Sequence, residues 1–137
     1  NMKLKITQST TIGEVKKHFT DAYPFLKLEF FSKPHDAYKT SPAKFIVHDE
    51  TKSLLEVGMS EVVEAELNIE GSTSVKSFEA EGMKYGLNLQ VLRRSASTWL
   101  ATTVTDNLSL HEQNRKGEAS TFDHSAPKDD FDYREQE

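Results

Sequence analysis

Leu4-Lys-Ile-Thr-Gln-Ser-Thr-Thr11-Ile-Gly-Glu14-Val15-Lys-Lys-His-Phe19 returns 63 residues later as Leu67-Asn-Ile-Glu-Gly-Ser-Thr-Ser74-Val75-Lys-Ser-Phe78-Glu-Ala-Glu-Gly82. Leu4 falls on Leu67, Ile6 on Ile69, Thr10 on Thr73, Thr11 on Ser74, Ile12 on Val75 and Val15 on Phe78. Further on, Leu26 falls on Leu89 and Leu28 on Val91. Most of these positions would carry a fold. A long period in two copies predicts a duplicated supersecondary unit, not a repeat array. The competing explanation is that apolar residues recur at matched periods in any two units of one type.

Each copy reads as strand, helix, strand. Leu4 and Ile6 alternate with Lys3, Lys5 and Thr7, the period of two of a half-buried strand. Thr11-Ile-Gly-Glu14 is a capping box. Ile12, Val15 and Phe19 then follow at helical spacing, with Lys16 and Lys17 toward solvent. Pro24 disfavours helical geometry at Tyr23 and ends the helix. Leu26, Leu28 and Phe30 alternate again, as do Leu87, Leu89 and Val91 in the second copy. The predicted buried set is Ile6, Ile12, Val15, Leu28, Ile69, Val75, Phe78, Leu89 and Val91. Each copy continues with a further strand, at Phe45-Ile-Val47 and at Trp99 to Val104. A short helix follows in each, opened by Asp49 or Asp106 and stopped by Gly58 or Gly117. Ser109-x-x-Glu112 is a second possible cap.

The expected fold is therefore α+β. One domain over 2–115, with halves of about 2–58 and 65–115, would place its helices on one face of a mixed or antiparallel sheet. Its units loosely resemble ferredoxin-like and ubiquitin-like modules, a fold-level likeness that assigns no activity.

Composition narrows the function classes. The chain has 137 residues, 36% hydrophobic and 28% charged, enough for one modest core. There is no cysteine, which excludes disulfides, a thiolate nucleophile and cysteine zinc sites and suits the cytoplasm. The net charge of −5 shows no overall basic footprint, so no nucleic-acid partner is expected. No apolar run approaches the roughly 20 residues of a membrane span, so no membrane partner is expected either. Asn1 ahead of Met2 reads as the remnant of an expression tag. Residues 116–137 hold seven acids against three bases, a balance of −4, and are expected to form an acidic tail. The composition fits a solvated segment. The aromatics Phe122, Phe131 and Tyr133 fit a segment that docks, on a body whose bases include Lys16, Lys17, Arg93 and Arg94.

The catalytic search is mostly negative. Five histidines have no partner at metal-ligand spacing, and His111-Glu-Gln-Asn-Arg115 puts Arg115 where a zinc helix needs its second ligand. G-x-S-x-G, G-x-G-x-x-G and Walker A motifs are absent, and no metal or cofactor is expected. One stretch merits attention, Arg93-Arg94 with Trp99, Thr103 and Asp106. An Arg beside threonines on an open sheet face could hold a carboxylate or phosphate. The plainer explanation is a hairpin with solvated cross-strand neighbours. Trp99, the single Trp, is either core or an interface anchor. The expected function is a protein-binding or adaptor module with a protein partner or a second copy of itself. Its contacts would come from Arg93, Arg94, Trp99, Thr103, Asp106, Phe122, Phe131 and Tyr133. The alternative is a small ligand-binding protein or enzyme with a polar site near Arg93, Thr103 and Asp106.

Overall fold

The alternation around Leu4 and Ile6 forms β1 (Lys3–Thr7), followed by α1 (Ile12–Ala22) and β2 (Leu26–Phe31) in the computed structural model, which describes residues 2–33, 43–60 and 64–122. The second half supplies β3 (Glu64–Asn68), α2 (Val75–Lys84), β4 (Asn88–Ser95), β5 (Thr98–Ala101) and α3 (Leu110–Phe122). Among the described residues the fold is α+β with three α-helices and two small antiparallel sheets, β1–β3 and β2–β4–β5. One continuous sheet was expected. The strands of each half separate instead, β1 pairing with β3 and β2 with β4, because strand pairing is set by tertiary packing and not by adjacency in sequence.

The predicted core is buried throughout. Ile6, Ile12, Val15, Leu28, Ile69, Val75, Phe78, Leu89 and Val91 belong to one apolar cluster that joins both sheets to α1 and α2. Phe19 of α1 stacks on Phe78 of α2 at 5.3 Å between ring centroids. Odd-numbered β4 residues face this core, and Leu92 on the other face joins Phe31 and Ala101 in a second, smaller cluster.

Several main-chain bonds recur in both halves. Leu4 pairs with Leu67 and Leu28 with Val91, each residue facing its own counterpart 63 positions on. Thr11 caps α1 through the Glu14 N–H and receives the Glu14 carboxylate in return, whereas Ser74 caps α2 through the N–H and hydroxyl of Ser77. The Ile12 and Gly13 amides donate to the carbonyls of Lys52 and Glu50. The Val75 and Lys76 amides donate in the same way to Leu108 and Asp106. Leu54 and Leu55 donate to Thr10 and Gln8, as Leu110 and His111 donate to Thr73 and Gly71.

Two helix expectations change. Ser53 and Glu56 exchange capping bonds, but the chain turns away at Gly58, whose φ of +111° no helix continues through. Lys52–Val57 is therefore a turn. The same box at Ser109 and Glu112 opens a 13-residue helix, α3, which runs through Gly117 instead of stopping there. Gly117 serves a close approach: a Cβ on it would lie 2.9 Å from the Phe25 Cβ and carbonyl oxygen. Asp49 and Asp106 are not the caps. Asp49 accepts from the Thr51 amide and hydroxyl, and Asp106 accepts the Lys76 amide on its carbonyl. α3 also runs across the boundary drawn between residues 115 and 116.

Candidate functional site

β4 alternates its side chains between the two faces of the three-stranded sheet, so Arg93 and Arg94 part company. Arg93, only 2% exposed, lies on the core face beneath α3 and donates from Nη1 to Gln113 Oε1 at 3.0 Å. Gln113, fully buried, donates in turn to the Thr105 carbonyl and hydroxyl. Arg93 thus holds α3 on the sheet. A buried guanidinium needs such a partner, because uncompensated burial of a charge is costly.

Arg94 faces the other way. It pairs across the ladder with Trp99, and its guanidinium carbon sits 5.4 Å from the centroid of the half-buried indole. Lys27 of β2 places its ammonium 5.0 Å from the same centroid. The hairpin that sets this register has a two-residue turn with Ala96 at a φ of +52°, a left-handed conformation that short hairpins require. The Arg94 Nε also donates to the Ala96 carbonyl. On the same face, Lys33 and Lys44 stand 4.9 and 5.2 Å from the Phe45 centroid. Phe45, Ile46 and Trp99 pack on the floor formed by Phe31, Leu92 and Ala101. The outer face of β2–β4–β5 is thus an apolar patch on which Phe45 and Trp99 are each flanked by two cations. Cations over aromatic faces stabilise by about 0.5–1 kcal/mol at exposed sites.

Thr103 and Asp106 do not join this group. Thr103, 4% exposed, meets the Gln90 amide, which donates to its hydroxyl. Asp106 lies near Glu79, a residue not singled out from the sequence. Glu79 projects from α2 and takes the Val91 amide on Oε2 at 2.9 Å, where β5 has ended and the ladder leaves that N–H without a strand partner. Burial pushes its carboxyl up to about 8, and the nearby Asp106 charge adds to the shift. Its position was readable: Val75, Phe78, Glu79 and Gly82 share one helical stripe, so Glu79 had to point inward. Lys16 and Lys17, expected as part of a basic groove, are engaged elsewhere. Lys16 bonds Glu29 and Glu50, both at 2.9 Å, and Lys17 bonds Asp21. Burial alone would lower the Lys16 pKa, and its two carboxylate partners outweigh that and raise it.

Phe122 is the last residue of α3, and Phe131 and Tyr133 lie outside the described residues. Among the described residues no group of three or more His, Cys, Asp or Glu could hold a metal ion. No helix among them is long and apolar enough to cross a membrane. A separate cleft lies beside β1 and α1, with Lys5, Val15 and His18 among its walls. Compared with protein-family models, curated proteins and solved structures, the chain matches none.

Proposed function

We propose that the chain is a protein-binding module, working in the cytoplasm, whose contact face is the outer side of β2–β4–β5. The observation that carries this reading is Trp99, half-buried over an apolar floor and flanked by Lys27 and Arg94. Trp and Arg are enriched where interfaces concentrate their binding energy. The cations favour a partner that presents carboxylates around an apolar or aromatic side chain. Because Trp99 is the single Trp, its fluorescence reports on this face directly. An acidic, aromatic-containing peptide should shift the emission saturably, and Arg94→Ala should weaken the effect about tenfold, some 1.4 kcal/mol. Unchanged emission with every acidic peptide, or a larger response to a single-stranded oligonucleotide, would overturn the reading.

The buried carboxyl of Glu79 favours the alternative, an enzyme or small-ligand site near Arg93, Thr103 and Asp106. Against it, Arg93 and Thr103 are buried, and their partners Gln113 and Gln90 belong to opposite faces of β4. The halves are read as one duplicated unit. The hydrogen bonds shared at offsets of 63 and 56 residues support that origin more strongly than the apolar pattern does.

A further inference from the structure

The two halves treat the outer edges of their first strands differently. In β3, Asn68 N–H donates to the Glu81 carboxylate of α2 at 2.8 Å, so the chain closes that edge amide itself. The residue 63 positions before Asn68 is Lys5 of β1, and the one 63 before Glu81 is His18 of α1. Lys3 stands in the same way for Glu66. Where the second half has Glu66, Asn68 and Glu81, the first half therefore has Lys3, Lys5 and His18, with both acids replaced by bases. Lys5 and His18 line one cleft of about 320 Å³ between β1 and α1, with Lys3, Ile6, Glu14 and Val15 also among its walls.

The Asn68 bond also shows which way the main chain of β1 faces. Asn68 pairs with Lys3 in the ladder and points its amide away from β1. Its partner Lys3 must therefore point away from β3, and by the alternation of an antiparallel ladder so must Lys5. Thr7, the next residue in this series, is closed by the chain itself: its N–H donates to the Thr10 hydroxyl, and its carbonyl accepts the Thr10 N–H. Among the described residues nothing takes up the Lys5 N–H.

We propose that the cleft binds a small carboxylate with a short apolar chain, whose carboxylate takes the Lys5 N–H as Glu81 takes that of Asn68. The ligand would thus bring the acid that the second half builds into α2. The Lys3 and Lys5 ammonium groups and the His18 imidazole surround that position, and a carboxylate bonded to N–H groups beside cations is held more strongly than a neutral acceptor. Lys3 is 3.9 Å from Glu66, and both are about half exposed, a pair too weak to withhold Lys3 from a ligand. The one acid among the cleft walls, Glu14, is turned to the helix cap, where it takes the Thr11 N–H and hydroxyl. Val15 and His18 share a face of α1 one turn apart, so the imidazole stands next to the apolar wall formed with Ile6. The volume is at the lower end of the roughly 300–1,000 Å³ of ligand pockets, which suits a chain of a few carbons. This site is separate from the Trp99 face and does not depend on it.

The test is an NMR titration of the full chain with hexanoate, with hexanamide as the neutral counterpart. Hexanoate should move the Lys5 amide and His18 ring signals saturably, and hexanamide should leave both in place. His18→Glu puts a carboxylate where the second half has Glu81. It should weaken hexanoate binding roughly tenfold or more, because like charges set side by side cost affinity. His18 is exposed, so this variant should fold as the natural chain does. Equal responses to hexanoate and hexanamide, or hexanoate binding that His18→Glu leaves unchanged, would overturn the proposal. So would a Lys5 amide that responds to an extended acidic peptide and not to hexanoate, since β1 would then be adding a strand. Trp99 emission should stay constant throughout the hexanoate titration, which keeps failure here distinct from failure of the Trp99 reading.

Discussion

Lys16 and Glu79 occupy the same place in the two halves, 63 residues apart on α1 and α2, and do opposite things. In the first half Lys16 reaches the partly exposed rim and is held between Glu29 and Glu50. In the second half the neighbour equivalent to Glu50 is Asp106, another acid, and Glu79 turns inward to take the Val91 amide. One backbone frame thus accommodates a partly buried ion-pair network or a buried neutral acid. The choice depends on what flanks the sheet. In the second half β5 stops short and leaves Val91 N–H to be satisfied, and an unsatisfied buried amide costs more than a buried protonated carboxyl with a bond to make.

The largest effect should come from where the halves meet. Phe19→Ala and Phe78→Ala should each cost about 3–5 kcal/mol in a denaturant titration. Because the rings stack, the double variant should cost less than the sum. Additive losses would show that the halves are held together elsewhere.

Next is the buried acid itself. Glu79 keeps its proton in the folded chain up to about pH 8, whereas the unfolded chain releases it near pH 4.5. The stability it contributes is full below about pH 4.5, declines as pH rises, and is lost above about 8. The loss should be on the order of 5 kcal/mol. Glu79→Gln keeps an acceptor for the Val91 amide and should flatten the decline. Lys16→Met should leave the slope unchanged and cost about 1 kcal/mol or less, since its pairs are partly solvated. Identical pH profiles for the natural chain and Glu79→Gln would remove the contrast between the halves.

Gly117→Ala tests why α3 is long where its first-half equivalent is a single turn. The added methyl meets Phe25 at 2.9 Å and should cost about 1–3 kcal/mol in melting experiments. A neutral result would mean that α3 does not depend on close contact with Phe25, the residue before β2. The smallest difference lies in the caps. Thr11→Ala should cost about 1 kcal/mol, and Ser74→Ala somewhat less, because only Thr11 has the reciprocal Glu14 bond.

The elements of each half were legible because their signals are local. Period-two runs, the Thr11 box and the stripe through Ile12, Val15 and Phe19 depend on neighbours within a few residues, and they marked β1 to β4, α1 and α2 and the buried face of each. The strand expected at Phe45-Ile-Val47 is instead a 3-10 turn over Ala43–Phe45, with Ile46 in one isolated bridge to Phe31. The candidate site was legible only in part. Arg94 and Trp99 meet because a short hairpin makes them direct cross-strand neighbours, a relation that sequence spacing nearly dictates. Arg93, one residue away in β4, was grouped with them but bonds Gln113 of α3 instead. Nothing near it in sequence points to Gln113, 20 residues on.

The sequence by itself determined the strand–helix–strand order of each half and the facing of its apolar residues, since 2.0 and 3.6 periodicities are properties of the chain alone. Only the tertiary structure decided that the strands pair across the halves in two sheets, that Gly117 lies within a helix, and that Glu79 is buried while Lys16 is not. Each of those depends on groups brought together from distant positions. Their free energy is set by desolvation and close contact, and neither exists until the chain has folded.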